Sequence, residues 1–144
     1  MKIVLQRVKQ AIVKVRNQSY AQIDQGICLF VGIEKGDTEE NAFHWAMKVS
    51  DLRIFPDSEG KMNRSLLDVQ GEVLAVSQFT LAGSVKKGRR PSFDHAEEQR
   101  KAESLFNYFV ECLKKRDISV KTGKFGALME VSLVNNGPVT FIIG

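Results

Sequence analysis

The sequence is poor in cysteine and has no long apolar run, and each shortage excludes a class of protein. Cys28 and Cys112 are the only cysteines, and no CxxC motif or Cys/His cluster lies beside them. This favours two buried free thiols over a disulfide or a metal site. No apolar run approaches membrane-spanning length, and the start MKIVLQRVKQ lacks the apolar stretch of a secretory signal. We therefore expect a cytoplasmic protein without a membrane partner.

The common catalytic motifs are also missing. The chain contains no GxSxG elbow, Walker loop, GxGxxG or HExxH motif, which argues against triad hydrolases, NTPases, dinucleotide enzymes and metalloproteases. His44 and His95, the only histidines, have no spacing that would make a metal pair or a base for a nearby nucleophile. We expect structural roles for both, and neither a metal ion nor a cofactor.

What the sequence does contain is an ordinary globular composition with a basic excess. The chain has 144 residues, 43% of them apolar, which suits one compact domain over residues 1–144. A net charge of +4 makes a polyanionic partner plausible, since Lys and Arg neutralise phosphates. Composition alone favours RNA over a small metabolite only slightly.

Two segments have the apolar periodicity of amphipathic helices. One helix is predicted over 38–52, after a capping pair formed by Asp37 and Glu40. A second helix is predicted to open at Asp94 and Glu97 and to carry an apolar stripe along one face.

Seven further segments have the alternation or the continuous apolar character of strands: 2–8, 11–15, 26–33, 72–76, 118–121, 128–134 and 139–143. Many strands with only two helices predict an α/β domain. We expect a strongly curved, barrel-like β-sheet that carries the two main helices on its outside.

Two short segments stand out from this framework. The first is SQFTL at 77–81, where side chains that form hydrogen bonds surround an aromatic residue as an apolar strand ends, so that backbone N–H groups can face a ligand. Its alternative interpretation is a strand edge with Phe79 in the core. The second is NNGPVT at 135–140, which lies between two apolar strands and contains a Gly-Pro bond for which cis is accessible. Its alternative is an ordinary hairpin turn.

Together the two segments, in a chain of this length that starts MKIVLQRV, resemble the D-aminoacyl-tRNA deacylase (D-tyrosyl-tRNA deacylase) family over essentially the whole sequence. The resemblance implies a homodimeric hydrolase that cleaves the ester of D-aminoacyl-tRNA, releases the free D-amino acid and tRNA, and rejects L-aminoacyl-tRNA. Glycine mischarged onto tRNA is a further substrate that it allows. The implied partner is the acceptor end of aminoacyl-tRNA, and no DNA partner is expected.

The resemblance also assigns chiral selection to Gly137 and Pro138. In the family this pair is cis and reaches into the pocket of the partner subunit, where its carbonyl oxygens capture the α-ammonium group and exclude an L side chain. Discrimination by a clash and by misplaced polar groups can far exceed what pocket size alone achieves. Such a site reads the chiral centre and accepts many D side chains.

For catalysis, the resemblance places Ser77, Gln78, Phe79 and Thr80 around the scissile ester, with backbone N–H groups near Phe79 and Thr80 as an oxyanion hole. The neighbouring ribose hydroxyl already activates an aminoacyl ester, so positioning it against water can suffice. A covalent Thr80 nucleophile is the alternative, but it needs a base, and the sequence shows no convincing one. We favour assistance by the 2′-hydroxyl of the substrate.

Three more residues are candidates for the pocket or its support. Phe79 is suited to stacking on the terminal adenine, and Phe125 and Met129 to lining the pocket, although core positions are equally compatible with them. Arg7, in the first strand, is expected either to hold the Gly-Pro segment across the dimer or to be a surface arginine.

The densest basic cluster follows SQFTL by a few residues and contains Lys86, Lys87, Arg89 and Arg90. We expect these side chains to contact phosphates of the tRNA acceptor stem, with a solvated loop as the alternative.

Two functions of other classes remain open from the sequence. A non-catalytic RNA-binding adaptor would use the basic loop and exposed Phe residues and would bind RNA without turnover. A small metabolic hydrolase of D-amino-acid esters would cleave simple esters and would be indifferent to the acceptor stem.

Overall fold

Over residues 1–86 and 88–144, which are those that the computed structural model describes, the chain forms eight strands, two α-helices and one turn of 3₁₀ helix. In chain order these are β1 (Lys2–Val15), β2 (Gln18–Ile23), β3 (Gly26–Gly32), α1 (Glu39–Asp51), β4 (Phe55–Pro56), β5 (Met62–Arg64), β6 (Glu72–Ser77), the 3₁₀ turn (Phe79–Ala82), α2 (Gln99–Lys114), β7 (Val120–Thr122) and β8 (Glu130–Ile143).

The main sheet is built around the long strand β1. On one edge β1 pairs antiparallel with β3 along its first half and with β2 along its second half, and on the other edge it pairs with β8. Strand β3 continues the sheet through parallel pairing with β6, and β6 pairs in parallel with β7. The sheet curls back on itself, since Lys121 Nζ of β7 donates to the carbonyl oxygen of Gln22 in β2 at 2.7 Å. The predicted α/β fold with a curved, nearly closed sheet and two helices is confirmed.

Apolar side chains cover both faces of the central strands. One cluster lies between the sheet and the two helices and includes Leu5, Leu29 and Phe109. A second cluster lies on the opposite face of the sheet and includes Val8 and Leu74. Burial on both faces explains why β3 and β6 have continuous apolar sequences rather than alternating ones.

The two cysteines belong to these clusters. Cys28 and Cys112 are free and buried, as expected from their isolation in the sequence. Burial raises the pKa of the Cys28 thiol to about 12, which keeps it protonated and unreactive. No α-helix in the described part of the chain is long and apolar enough to cross a bilayer.

Helix α1 has the predicted buried face but a different cap. Its N-cap is Thr38, whose hydroxyl accepts from the Asn41 amide while the Asn41 side chain accepts from the Thr38 amide. The predicted pair of Asp37 and Glu40 is therefore wrong. Asp37 instead accepts from the amide of Glu34 at 2.7 Å and from the terminal ammonium group of the chain, so its carboxylate is unavailable to the helix.

Helix α2 begins later than predicted. Its N-cap is Glu98, whose carboxylate accepts from the amides of Arg100 and Lys101. The predicted opening at Asp94 and Glu97 is wrong because this stretch pairs with the chain after β3: the Glu97 amide donates to the Ile33 carbonyl at 3.1 Å, and the His95 carbonyl accepts from Lys35 at 2.9 Å. Backbone groups used in this way cannot enter a helix.

The C-terminal segment also differs from the prediction. The chain does not turn at 135–140, and 130–143 forms the single strand β8. The register shows why: between Val8↔Asn135 and Gln6↔Thr140, Arg7 alone on β1 faces the four residues 136–139 on β8. The Gly-Pro segment forms a bulge within a continuous strand. The residues that favour a turn therefore produce a local irregularity in the pairing and do not reverse the chain. Strand β2 and the hairpin β4–β5 were not predicted.

Glu72 provides a testable link between pH and stability. The Asp24 amide donates to its carboxylate at 2.9 Å, and this bond, with Lys121 Nζ at 3.3 Å, holds the pKa of Glu72 below its ordinary value of 4.5. The Glu72 carboxyl therefore binds a proton less tightly in the folded state than in the unfolded chain. Its ionised form stabilises the fold fully at pH values above 4.5, and this stabilisation is lost as the pH falls through the lower pKa of the folded state.

We expect Glu72→Gln to flatten the acid side of the dependence of Tm on pH, because the isosteric amide cannot titrate. Thermal unfolding at several pH values below 5 would test this. An unchanged slope in Glu72→Gln would contradict the assignment.

Candidate active site

A cleft of about 580 Å³ opens where the parallel strands β3 and β6 end. Open α/β sheets bind ligands at the carboxyl ends of their strands, and this volume lies in the range of small-ligand sites. The wall opposite the strands comes from the start of α2 and from the chain between β7 and β8. The lining residues are Val31, Ile33, Val76, Ser77, Gln78, Phe79, Ala96, Glu97, Gln99, Ala102, Phe125, Gly126, Ala127, Leu128, Met129 and Val131.

The cleft brings together five of the residues singled out in the sequence. The residues that line it are Ser77, Gln78, Phe79, Phe125 and Met129. Thr80 is the second residue of the 3₁₀ turn and is exposed, but it is not among the described lining residues. Arg7, Gly137 and Pro138 are also absent from the described lining of this chain's cleft.

Two backbone N–H groups at the rim have no acceptor among the described residues. The Gln78 amide donates to the Val31 carbonyl at 2.8 Å, and the next bonded amide is that of Leu81, which donates to the Gln78 carbonyl at 3.2 Å. Within the described residues the amides of Phe79 and Thr80 have no protein partner, as the first amides of a helical turn generally do not. They form an adjacent pair of donors beside an open cleft.

The hydroxyl of Thr80 contacts the side-chain amide of Gln78. It accepts a hydrogen bond from Gln78 Nε2. A side-chain amide is not a base at neutral pH, so this contact orients the hydroxyl without activating it as a nucleophile.

The ring of Phe79 is available to a ligand. It is 58% exposed, which shows that the alternative placing it in the core is wrong. Its one aromatic neighbour within the described chain is Phe93, in an edge-to-face contact with the ring centres 5.0 Å apart. Phe125, by contrast, is half buried and packs near Phe106. The cleft is thus lined by the exposed ring of Phe79 and by the ring of Phe125, which is held by packing against the core.

Glu97 is the one titratable side chain in the described lining of the cleft. Lys101 Nζ lies 2.6 Å from its carboxylate, and this hydrogen bond, together with one from the Glu98 amide, lowers the pKa of Glu97. A carboxylate held in this way is a weak proton acceptor. The described residues also contain no group of three or more His, Cys, Asp or Glu arranged to hold a metal ion.

Gly32 is a site residue that the sequence did not reveal. It ends β3 directly behind the 3₁₀ turn, and a Cβ placed there would lie 2.8 Å from Leu81 Cβ and 2.9 Å from the Gln78 carbonyl oxygen. Only a residue without a side chain allows this close approach. Its signal in the sequence, a glycine at the end of an apolar run, is too common to identify such a role.

The Gly-Pro bulge is anchored by an arginine of the same chain. The Gly137–Pro138 peptide bond is cis, and Gly137 has a φ of +131°. Arg7 is buried, with 8% of its surface exposed, so the interpretation of a surface arginine is wrong, and the Gly-Pro segment that it holds is that of its own chain rather than one across a dimer. Its Nε donates to the Asn136 carbonyl at 2.9 Å and its Nη1 to the Ile54 carbonyl. The guanidinium ties the bulge to the segment after α1.

The basic loop is closed at its base. Ser84 and Ser92 exchange backbone hydrogen bonds of 2.8 Å and 3.0 Å, which places the loop between the 3₁₀ turn and Phe93. Lys86, Arg89 and Arg90 are exposed, whereas the predicted Lys87 lies outside the described residues. At least three positively charged side chains of this loop are therefore exposed to solvent, about ten residues after Phe79 of the cleft.

Known proteins resemble this chain along its whole length. The family model described as D-Tyr-tRNA(Tyr) deacylase matches residues 4–144. Proteins of Bacillus cytotoxicus and Bacillus cereus named D-aminoacyl-tRNA deacylase are each 52% identical over 143 residues, covering 99% of this chain and 98% of theirs.

Solved structures agree with this relationship. The c-Myc DNA Unwinding Element Binding Protein is 42% identical with a TM-score of 0.93, over 100% of this chain and 98% of its own. A probable eukaryotic D-amino acid tRNA deacylase, at 20% identity, shares the fold with a TM-score of 0.85, over 99% and 97% of the two chains. This chain belongs to the D-aminoacyl-tRNA deacylase family, a family of hydrolases.

Proposed function

We propose that this chain cleaves the ester that joins a D-amino acid to the 3′ end of tRNA, releasing the free amino acid and tRNA. The observation that carries the proposal is the pair of unpartnered amides of Phe79 and Thr80 beside a cleft of ligand size. Donors of this kind stabilise the oxyanion that forms when water adds to an ester carbonyl. The family relationship supplies the substrate class.

The proposed reaction needs no protein base. Water adds to the ester carbonyl, the Phe79 and Thr80 amides hold the resulting oxyanion, and the carbonyl re-forms as the ribose 3′-oxygen leaves with a proton. Each preorganised donor is typically worth about 3 kcal/mol of barrier. The single titratable group among the described lining residues, Glu97, is ion-paired, so we assign proton transfer to the adjacent 2′-hydroxyl of the substrate. Ser77 and Gln78 then serve as polar walls that orient the ester.

A covalent mechanism through Thr80 is the competing possibility. The Gln78 contact provides no base for the threonine, which favours direct attack by water. Mass spectrometry of protein quenched during turnover distinguishes the two, because an acyl-Thr80 adduct would contradict the proposal.

We propose that chiral selection comes from a second copy of the chain. Gly137 and Pro138 are absent from the described lining of their own cleft, and a second copy of the chain would bring them to a substrate there. Strand β8 pairs only with β1 among the described strands, and its exposed apolar residues include Ile142, which is 78% exposed. An open, apolar edge strand is a surface that a partner commonly covers. The partner's bulge would then present two carbonyl oxygens to the α-ammonium group.

The central test compares matched substrates. The purified protein is incubated with D-tyrosyl-tRNA and L-tyrosyl-tRNA, and loss of the ester is followed with time. We expect rapid loss of the D substrate only, and cleavage of glycyl-tRNA as well, because glycine has no side chain to exclude. Equal rates for both enantiomers, or no cleavage, would refute the proposed function.

Since aminoacyl-tRNA is used by cytoplasmic ribosomes, we place this activity in the cytoplasm.

The basic loop is proposed to contact acceptor-stem phosphates. Replacing Lys86, Lys87, Arg89 and Arg90 with Ala is expected to raise KM for D-aminoacyl-tRNA and to weaken its dependence on salt, because fewer counterions are released on binding. KM measured over a range of salt concentrations tests this. An unchanged KM at every concentration would indicate a solvated loop.

Gly32→Ala is expected to lower kcat while the protein remains folded. The added Cβ would push against Leu81 and the Gln78 carbonyl, which displaces the amides that follow. A displacement of about 1 Å in a catalytic group can reduce the rate by about 100-fold. Single-turnover rates are the measurement, and Gly36→Ala, which is strained by a φ of +94° but has nothing within 4 Å of the added Cβ, controls for a general loss of stability. Equal rates in the two variants would contradict the role of Gly32.

DNA binding is a second candidate, because a relative with 42% identity is described as binding a DNA unwinding element. We expect tRNA to be preferred, since the cleft accepts a chain end rather than a duplex. Inhibition of deacylation by an excess of duplex DNA as strong as that by uncharged tRNA would favour the second candidate.

A further inference from the structure

A second, smaller cavity is lined by a residue next in the chain to one that lines the proposed active site. It has a volume of about 240 Å³ and is lined by Val15, Arg16, Gln18, Ser19, Tyr20 and Lys124. Lys124 directly precedes Phe125, which lines the larger cleft, so the two cavities are joined through one short stretch of chain.

The lining combines positive charge with a free aromatic ring. Arg16 and Lys124 have no ion pair within the described residues, whereas other exposed cations such as Lys101 and Arg116 are paired with carboxylates. The described lining of this cavity contains no carboxylate. Tyr20 is 52% exposed, and no aromatic contact within the described chain uses its ring. Two unpaired cations and one open π face match the chemistry of a nucleotide.

The arginine is held in place by an unusual turn. Val15 pairs with Gln18, so Arg16 and Asn17 form a two-residue hairpin loop, and their φ values are 51° and 63°. Such loops match the twist of the strands but normally use Asn or Gly at both positions. An arginine in the left-handed region is uncommon. This loop fixes the position of the Arg16 backbone at the rim of the cavity.

We propose that this cavity is a subsite for the unpaired nucleotide that precedes the terminal adenosine of the tRNA. Its base stacks on Tyr20 and its phosphate lies between Arg16 and Lys124, while the terminal adenosine and its ester occupy the larger cleft. Unpaired bases are commonly held by aromatic stacking together with cations along the backbone. The assignment rests on the proposed function, because that function brings an RNA 3′ end to the adjacent cleft.

The test uses substrates that differ only in the preceding nucleotides. The D-tyrosyl ester of adenosine lacks them, and the D-tyrosyl ester of the trinucleotide CCA contains them. In Tyr20→Ala the ratio of KM for the trinucleotide ester to KM for the adenosine ester is expected to rise about tenfold, in keeping with loss of one stacking contact. Tyr20→Phe retains the π face and is expected to keep the wild-type ratio. Lys48→Ala, an exposed cation on α1, serves as the charge control.

Binding of uncharged CCA provides a readout that does not depend on catalysis. We expect Tyr20→Ala and the double variant Arg16→Ala, Lys124→Ala to weaken this binding, and the double variant to lower the salt dependence by about one neutralised phosphate. An unchanged KM ratio and unchanged CCA binding would overturn the subsite. So would a change of oligomeric mass in Tyr20→Ala, since it would mean that Tyr20 contacts a second copy. Failure of the wild-type protein to cleave D-tyrosyl-tRNA would refute the proposed function, whereas normal cleavage of that substrate with CCA binding unchanged in Tyr20→Ala would refute the subsite alone.

Discussion

Phe79→Pro is expected to lower kcat for D-aminoacyl-tRNA by about 100-fold to 1,000-fold relative to Phe79→Ala. Both substitutions remove the aromatic ring, but only proline removes the backbone N–H. The comparison therefore isolates one proposed oxyanion donor from the proposed stacking contact with adenine.

The fold is well suited to this substitution. Phe79 is the first residue of the 3₁₀ turn, a position at which proline is favoured because the amide is not used by the helix. The preceding residue, Gln78, has a φ of −144° and a ψ of 80°, outside the α-helical region that a following proline disfavours. Within the described residues the Phe79 amide donates to no acceptor, so the folded state loses no hydrogen bond.

Single-turnover rates and thermal unfolding should be measured together on the two variants. The proposal requires similar Tm values and widely separated rates. Similar rates for Phe79→Pro and Phe79→Ala would mean that this amide does not stabilise the transition state.

Gly137→Ala is expected to reduce cleavage of D-aminoacyl-tRNA by about 100-fold, because the bulge must shift and catalytic geometry tolerates little displacement. The residue has a φ of +131°, a conformation that L side chains rarely adopt. A Cβ there would also lie 2.9 Å from Arg7 Nη2 and 2.9 Å from Val139 Cγ2. Gly60→Ala is a matched control, since it has a φ of +80° but nothing within 4 Å of the added Cβ.

A mixing experiment tests whether Gly137 acts in another subunit. Phe79→Pro impairs the cleft and Gly137→Ala impairs the bulge, so each homodimer is inactive if a site needs both. A heterodimer of the two variants would contain one site with an intact cleft and an intact partner bulge, and random mixing would restore roughly a quarter of the wild-type sites. Absence of any recovery in a mixed population shown to contain heterodimers would place Gly137 in the site of its own chain or outside the reaction.

Local patterns in the sequence were enough to predict much of the framework. The continuous apolar runs of β3 and β6, the buried face of α1 and the isolation of the two cysteines each depend on residues close together in the chain. Side-chain periodicity encodes burial directly, because alternation and helical spacing place apolar groups on one face. The segments 77–81 and 135–140 likewise pointed to the family without any tertiary information, and the comparisons confirm that family.

Tertiary structure alone decided how these parts meet. The register of β1 against β8 produced a bulge within one strand where two separate strands were predicted, and it buried Arg7 beneath that bulge. Pairing of 95–97 with 33–35 delayed the start of α2 and shaped one wall of the cleft. The cleft also brings Phe79 together with Phe125 and Met129, which are distant from it in sequence. Contacts of this kind depend on the register and closure of the whole sheet, so propensities that act over a few residues cannot specify them.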